Sequence, residues 1–93
     1  MTQDTATCVE ISPKHTTTYT MPLATYNLVK DVMDAWPYTH GRRFKRTIAR
    51  ALAVIERAVP GSRKGVTMKR RINPPEIRGF GTSFVWYDPP VTP

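Results

Sequence analysis

The stretch of sequence that decides the fold is residues 42–61, RRFKRTIARALAVIERAVPG. Its apolar residues recur at intervals of three and four, which is the spacing of one face of an α-helix. The apolar stripe consists of Phe44, Ile48, Leu52, Ile55 and Val59, with Ala51 and Ala58 beside it. Pro60 and Gly61 end the pattern, because glycine readily adopts the left-handed conformation that closes a helix. The spacing therefore predicts a helix over residues 42–59 that packs against a core.

The reverse face of this predicted helix carries arginines. At about 100° per residue, Arg46, Arg50 and Arg57 fall within about 40° of one another, and Arg42 extends the row. Like charges at helical spacing repel and lower helix stability, whereas guanidinium groups bind phosphate oxygens in a bidentate manner. We therefore expect the row to bind an anionic partner. A solvated helix face without a ligand is the alternative.

A second amphipathic segment precedes the first. Tyr26, Val29, Met33 and Trp36 recur at helical spacing from Pro22 onward. Proline is tolerated in the first turn of a helix but breaks a helix when it lies in the interior. Pro22 can therefore begin the segment, and Pro37 ends it. The pattern predicts a helix over residues 22–36.

Segments of alternating or β-branched residues flank the two predicted helices. Strands are predicted over Thr7–Ile11, Thr16–Met21, Val66–Ile72 and Thr82–Tyr87, and residues 12–15 form a hairpin loop between the first two. The order predicts an α+β domain in which a small antiparallel sheet, built from the N-terminal hairpin plus the C-terminal strands, carries two packed helices at about 22–36 and 42–59. We expect one compact domain over residues 7–88, with flexible ends at residues 1–6 and at the Pro-rich residues 89–93.

The charge is strongly positive and unevenly distributed. The net charge is +7, and residues 42–93 contain twelve of the fourteen Lys and Arg residues but only three of the seven Asp and Glu residues. Such an excess produces a positive potential that attracts polyanions. A charge that serves only solubility is the alternative.

Two further segments extend the basic surface towards the C-terminus. One is the glycine-flanked loop of residues 61–65, which lacks the spacing of a nucleotide-binding P-loop, and the other is the run of residues 69–71. The complete set of predicted nucleic-acid-binding residues is Arg42, Arg43, Arg46, Arg50, Arg57, Arg63, Lys64, Lys69, Arg70, Arg71 and Arg78. Phe80, Trp86 and Tyr87 are candidates for stacking on bases or for contacting a protein, and core packing of the last strand is their alternative role.

Residues 78–87, RGFGTSFVWY, resemble the aromatic strand signature of RNA-recognition-motif domains. In that family, exposed aromatic side chains on strands stack on RNA bases. The resemblance covers ten residues and is interrupted by Thr82 and Ser83. We assign no family from it, and it implies only that aromatic side chains near Arg78 are available for stacking.

Catalytic and metal-binding patterns are weak. Cys8 and the two histidines, His15 and His40, are isolated in the sequence and show no paired ligand spacing, so we predict no metal and no cofactor. His40 lies beside arginines and could serve a small endoribonuclease as acid or base, but we expect the chain not to be an enzyme. Cys8 is expected to be buried and unreactive.

These features lead to one principal hypothesis and one alternative. The principal hypothesis is a basic nucleic-acid-binding protein of accessory or regulatory function that contacts the phosphate backbone of DNA or RNA through its Arg-rich helix. A helix-turn-helix reader is one variant of it. The alternative is a small protein-binding effector or inhibitor, of the kind that phages and mobile elements encode, that docks on an acidic protein or on a nucleic-acid-processing enzyme. With a single cysteine and no long apolar segment, we expect a cytoplasmic protein without a membrane partner.

Overall fold

The structure is a computed structural model that describes residues 4–36 and 46–87. Two helices lie on an antiparallel sheet of four strands, and the predicted α+β fold is confirmed. The elements are β1 (Thr5–Ile11), β2 (His15–Pro22), α1 (Leu23–Ala35), α2 (Ile48–Ala58), β3 (Thr67–Ile72) and β4 (Ser83–Tyr87), with a short 3-10 turn at Pro75–Ile77 before β4.

The sheet has the strand order β3-β2-β1-β4, so that the N-terminal hairpin forms its centre and the two C-terminal strands form its edges. All neighbouring strands are antiparallel. Cys8 stands opposite both Tyr19 on β2 and Trp86 on β4, which fixes the register across three strands. Because side chains alternate along a strand, this register also decides which residues share a face.

One face of the sheet forms the core together with the helices. On β1 and β2 the buried side chains alternate with partly exposed ones, as a half-buried strand requires. Helix α1 buries Tyr26, Val29 and Met33, and the α2 stripe of Ile48, Ala51, Leu52 and Ile55 is also buried. The apolar stripe that predicted α2 therefore packs into the core from Ile48 to Ile55, whereas Ala58 and Val59, which the prediction included, are exposed.

The start of α2 differs from the prediction. The helix begins at Ile48 rather than at residue 42: Arg46 and Thr47 are not helical, and residues 42–45 lie outside the described residues. Thr47 has the extended backbone of an N-cap, and its hydroxyl accepts a hydrogen bond from the Arg50 amide at 3.1 Å. A second acceptor is the Glu10 carboxylate of β1, whose Oε1 accepts a hydrogen bond from the Ile48 amide at 2.9 Å. Together these two groups stop the helix from extending towards its N-terminus.

The other boundaries move by one or two residues. Strand β1 begins at Thr5, within the segment that we expected to be a flexible end, and Ala6 is 3% exposed. Pro22 is the last residue of β2 and the N-cap of α1, where we had placed it in the first turn. Between α1 and α2, Trp36, Arg46 and Thr47 are not helical, and residues 37–45 lie outside the described residues. The helix-turn-helix variant of the nucleic-acid hypothesis therefore stays a prediction.

Neither described helix is both long and apolar enough to cross a membrane.

Candidate nucleic-acid interface

The described cations fall into several groups, and the first of these lies on α2. On α2, Arg50 and Arg57 are about 20° apart at the helical repeat, both are exposed, and both lie opposite the buried stripe. They therefore point away from the sheet. Arg42 and Arg43, which would extend this group, lie outside the described residues.

Arg46 does not belong to the helical arginine row. It precedes the N-cap of α2, its side chain is partly buried, and its guanidinium group lies over the ring of Phe84 at 5.8 Å from the centroid. This is cation–π geometry, and it joins the segment before α2 to the edge strand β4. The row of three arginines thus reduces to Arg50 and Arg57, and Arg46 has a packing role.

Strand β3 presents the densest cluster of cations in the described chain. It forms one edge of the sheet and all six of its residues are exposed. Lys69, Arg70 and Arg71 follow one another along it, and their cross-strand neighbours on β2 are Thr18, Thr17 and Thr16. No carboxylate stands beside these three cations within the β2–β3 ladder.

The side of the sheet that faces away from α1 and α2 is called here the open sheet face. Its residues form three cross-strand rows, from β3 through β2 and β1 to β4: Thr67, Thr20, Thr7 and Tyr87; Lys69, Thr18, Val9 and Val85; and Arg71, Thr16, Ile11 and Ser83. Lys69 and Arg71 occupy the β3 edge and threonines line β2, whereas β1 presents two aliphatic side chains and one threonine, and Tyr87 lies at the β4 edge. All twelve side chains are partly or fully exposed.

The aromatic candidates occupy three different environments. Trp86 points towards the helices and packs edge-to-face against Tyr26 with 5.9 Å between ring centroids, so core packing is its role. Tyr87, the next residue, points to the open sheet face and is 55% exposed. Phe80 is fully exposed in the segment before β4. In the segment that resembles the RNA-recognition signature, only Tyr87 is thus an exposed aromatic on a strand.

The loop of residues 61–65 is held by the Glu56 carboxylate. Its two oxygens accept hydrogen bonds from the amides of Gly61 and Arg63 at 3.0 Å and from the Ser62 hydroxyl at 3.1 Å. The amide hydrogen bonds, first that of Gly61, hold the pKa of Glu56 below its usual value. The side chains of Arg63 and Lys64 are exposed. Glu56 therefore orders the backbone that presents these two cations.

Arg78 has a structural contact. Its Nε donates to the carbonyl oxygen of Asn73 at 3.4 Å. Asn73 is 3% exposed and its side chain joins the end of β3 to the first hairpin: Nδ2 donates to the carbonyl of Ser12 at 2.8 Å, and Oδ1 accepts from the Thr16 hydroxyl at 2.6 Å. Residues 73–78 thus fasten the basic edge strand to the centre of the sheet.

The remaining candidate groups add no reactive centre to this surface. Cys8 is fully buried, as predicted, and burial raises the pKa of its thiol to about 12. His40, the histidine considered for catalysis, lies outside the described residues. Within residues 4–36 and 46–87 there is no group of three His, Cys, Asp or Glu side chains arranged to hold a metal ion.

Two groups that shape this surface have no role in the predictions made from the sequence. The threonine rows were treated only as strand formers, although the alternation of Thr16, Thr18 and Thr20 indicated that their hydroxyls share one face. The contact between Glu10 and the start of α2 had no local signal, since 38 residues separate the two partners. Comparison of the chain with protein-family models, with curated proteins and with solved structures gives no match.

Proposed function

We propose that this chain is a small nucleic-acid-binding protein with an accessory or regulatory function, and that it binds mainly through phosphate contacts. The observation that carries the proposal is the edge strand β3, where Lys69, Arg70 and Arg71 are exposed in succession beside neutral threonines. Arg63 and Lys64 precede the strand in an ordered loop, and Arg50 and Arg57 add a second cationic surface on α2.

Charged residues on an edge strand have another use, because they discourage edge-to-edge pairing between sheets. That use explains a charge on β3. It does not require three successive residues to be positive, since charged side chains of either sign can protect an edge and mixed signs would avoid repulsion between neighbours. An anionic ligand relieves the repulsion and releases counterions as it binds.

The test is fluorescence anisotropy of labelled duplex DNA, single-stranded DNA and RNA across a salt series. Neutralising about four phosphates gives a log–log salt slope near −4 for a duplex and near −3 for a single strand. Submicromolar binding at moderate salt with such a slope would support the proposal. Absence of binding to all three ligands at low salt would refute it.

A second candidate function is docking on an acidic protein, and one observation favours it. On the helix side of β3, Met68 and Ile72 are 54% and 69% exposed and flank Arg70. An extended segment of a partner could pair with the free edge of β3 and bury these two side chains. An Ile72→Asp variant should then lose the partner, while its nucleic-acid affinity should fall by no more than the change of one charge explains. Equal capture of the partner by the variant and by the unmodified protein would contradict this reading.

A further inference from the structure

We infer that the ligand is single-stranded nucleic acid and that it lies across the open sheet face, with phosphates at Lys69 and Arg71 and a base stacked on Tyr87. This inference rests on the proposed function. It identifies the class of ligand and the side of the domain that receives it.

Charge complementarity is the first argument. None of the twelve residues in the three rows of the open sheet face is acidic, and Lys69 and Arg71 occupy neighbouring rows at its β3 edge. Glu10, the only acidic residue of the four strands, points to the helix side, where it binds the start of α2. Among the described strand residues, the charged side chains on the open sheet face are therefore all positive.

The side chains across this face can contact the phosphates, sugars and bases of successive nucleotides. Lys69 and Arg71 provide phosphate contacts at one edge, and the hydroxyls of Thr18 and Thr20 in the centre can both donate to and accept from sugar and base atoms. Tyr87 at the opposite edge offers a ring face, and every base can stack on an aromatic ring without regard to sequence. The arrangement predicts binding with little sequence preference.

The dimensions of the sheet favour a single strand over a duplex. Four strands at about 4.8 Å spacing make a face about 14 Å across between the outer strands, which is too broad for a major groove about 12 Å wide that admits a helix or a two-stranded ribbon. A stacked single strand advances about 3.4 Å per nucleotide, so about four nucleotides cover the width. Stacking on Tyr87 also requires an unpaired base.

The proposed test compares two double variants that each remove two positive charges from opposite sides of the domain. Lys69→Ala with Arg71→Ala changes the open sheet face, whereas Arg50→Ala with Arg57→Ala changes only α2. The ligands are a labelled twelve-nucleotide oligothymidine and a twelve-base-pair duplex, measured by anisotropy across a salt series. Circular dichroism verifies that each variant is folded.

We expect the sheet-face double variant to lower the salt slope for oligothymidine by about 1.4, because two phosphate contacts are lost at about 0.7 each. The α2 double variant should leave that slope within about 0.5 of the unmodified protein. Tyr87→Ala should weaken oligothymidine binding about tenfold, Tyr87→Phe should restore it to within about twofold, and Phe80→Ala should have little effect, since loss of a stacked base costs between several-fold and about a hundredfold.

Three results would overturn the inference. Equal losses of oligothymidine affinity in the two double variants would mean that the charge acts without a defined site. A preference for the duplex that depends on Arg50 and Arg57 would place the site on α2. The proposed function would stand after either result. Dimerisation that Tyr87→Ala abolishes would assign the open sheet face to a second copy of the chain. Failure of the unmodified protein to bind any nucleic acid would refute the proposed function itself, which is a separate outcome.

Discussion

Replacement of Glu10 by alanine should destabilise the protein by detaching the start of α2 from the sheet. Glu10 is the next-to-last residue of β1, its side chain lies on the helix side, and its Oε1 accepts a hydrogen bond from the Ile48 amide at 2.9 Å. The Ile48 amide belongs to the first helical residue and has no partner within the helix. Ile48 is itself fully buried, so the lost carboxylate is poorly replaced by water.

The magnitude follows from two contributions. A hydrogen bond to a charged group contributes about 1.5–3 kcal/mol, and a negative charge at a helix N-terminus contributes about 0.3–1 kcal/mol when it is exposed and up to about 2 when partly buried. The two overlap, and we expect Glu10→Ala to cost about 2 kcal/mol. Glu10→Gln keeps an oxygen acceptor and loses the charge, so its cost should be about 1 kcal/mol.

Urea denaturation measured by tryptophan fluorescence is the assay, because Trp86 packs against Tyr26 in the core. With an m-value of about 1–1.5 kcal/mol/M for a small domain, the Glu10→Ala midpoint should fall by about 1.3–2 M. Thr47→Ala is the matched control: it removes the local cap and should cost about 1 kcal/mol. A Glu10→Ala midpoint equal to that of the unmodified protein would refute the assignment of this carboxylate as a helix cap.

Three further predictions concern the core, the basic loop and the thiol. Leu52→Asp should leave the protein unfolded by circular dichroism, since Leu52 is 6% exposed in the α2 stripe and a charge there is unpaired; a cooperative thermal transition would contradict the helix register. The lowered pKa of Glu56 stabilises the fold above the usual carboxyl pKa, and this contribution is lost as pH falls through the lower folded-state pKa. Glu56→Gln should therefore have a flatter acid limb in a plot of unfolding free energy against pH, and identical limbs would be evidence against the loop contact. Cys8, with its thiol pKa raised to about 12 and its side chain fully buried, should react with a disulfide reagent at neutral pH only after denaturant is added; rapid labelling of the native protein would disprove its burial.

Much of the fold follows from periodicity alone. The alternation in β1 and β2 and the three- and four-residue spacing in the helices reflect which side chains must leave water, and that requirement is local. The α2 stripe from Ile48 to Ile55 is buried as its spacing predicts. Periodicity places Phe84 and Trp86 on one face of β4 and Val85 and Tyr87 on the other, but it does not say which face meets the helices.

The missed helix boundary has a physical reason. Phe44 and Arg42 continue the helical spacing, so hydrophobic and charge periodicity favour extension of α2 to residue 42. Thr47 competes with that extension, because its hydroxyl offers the Arg50 amide a partner that an additional turn would otherwise supply. Glu10 adds an acceptor from a distant strand. One short-range and one long-range hydrogen bond therefore outweigh the local helix propensity of residues 42–47. Only the short-range bond could be predicted from the sequence.

Two carboxylates hold backbone amides in place, and their positions decide which cations they can offset. Glu10 accepts a hydrogen bond from the first amide of α2, and Glu56 accepts bonds from two amides and a hydroxyl in the loop of residues 61–65. Hydrogen bonds from neutral amides do not cancel the charge of a carboxylate, so Glu56 still attracts Arg63, and this attraction is one of the smaller causes of its lowered pKa. Glu10 lies on the helix side of the sheet, whereas Lys69 and Arg71 lie on the open sheet face. Glu56 thus offsets part of the charge of the loop that it orders, and the cations of the open sheet face have no carboxylate among the strand residues that share that face.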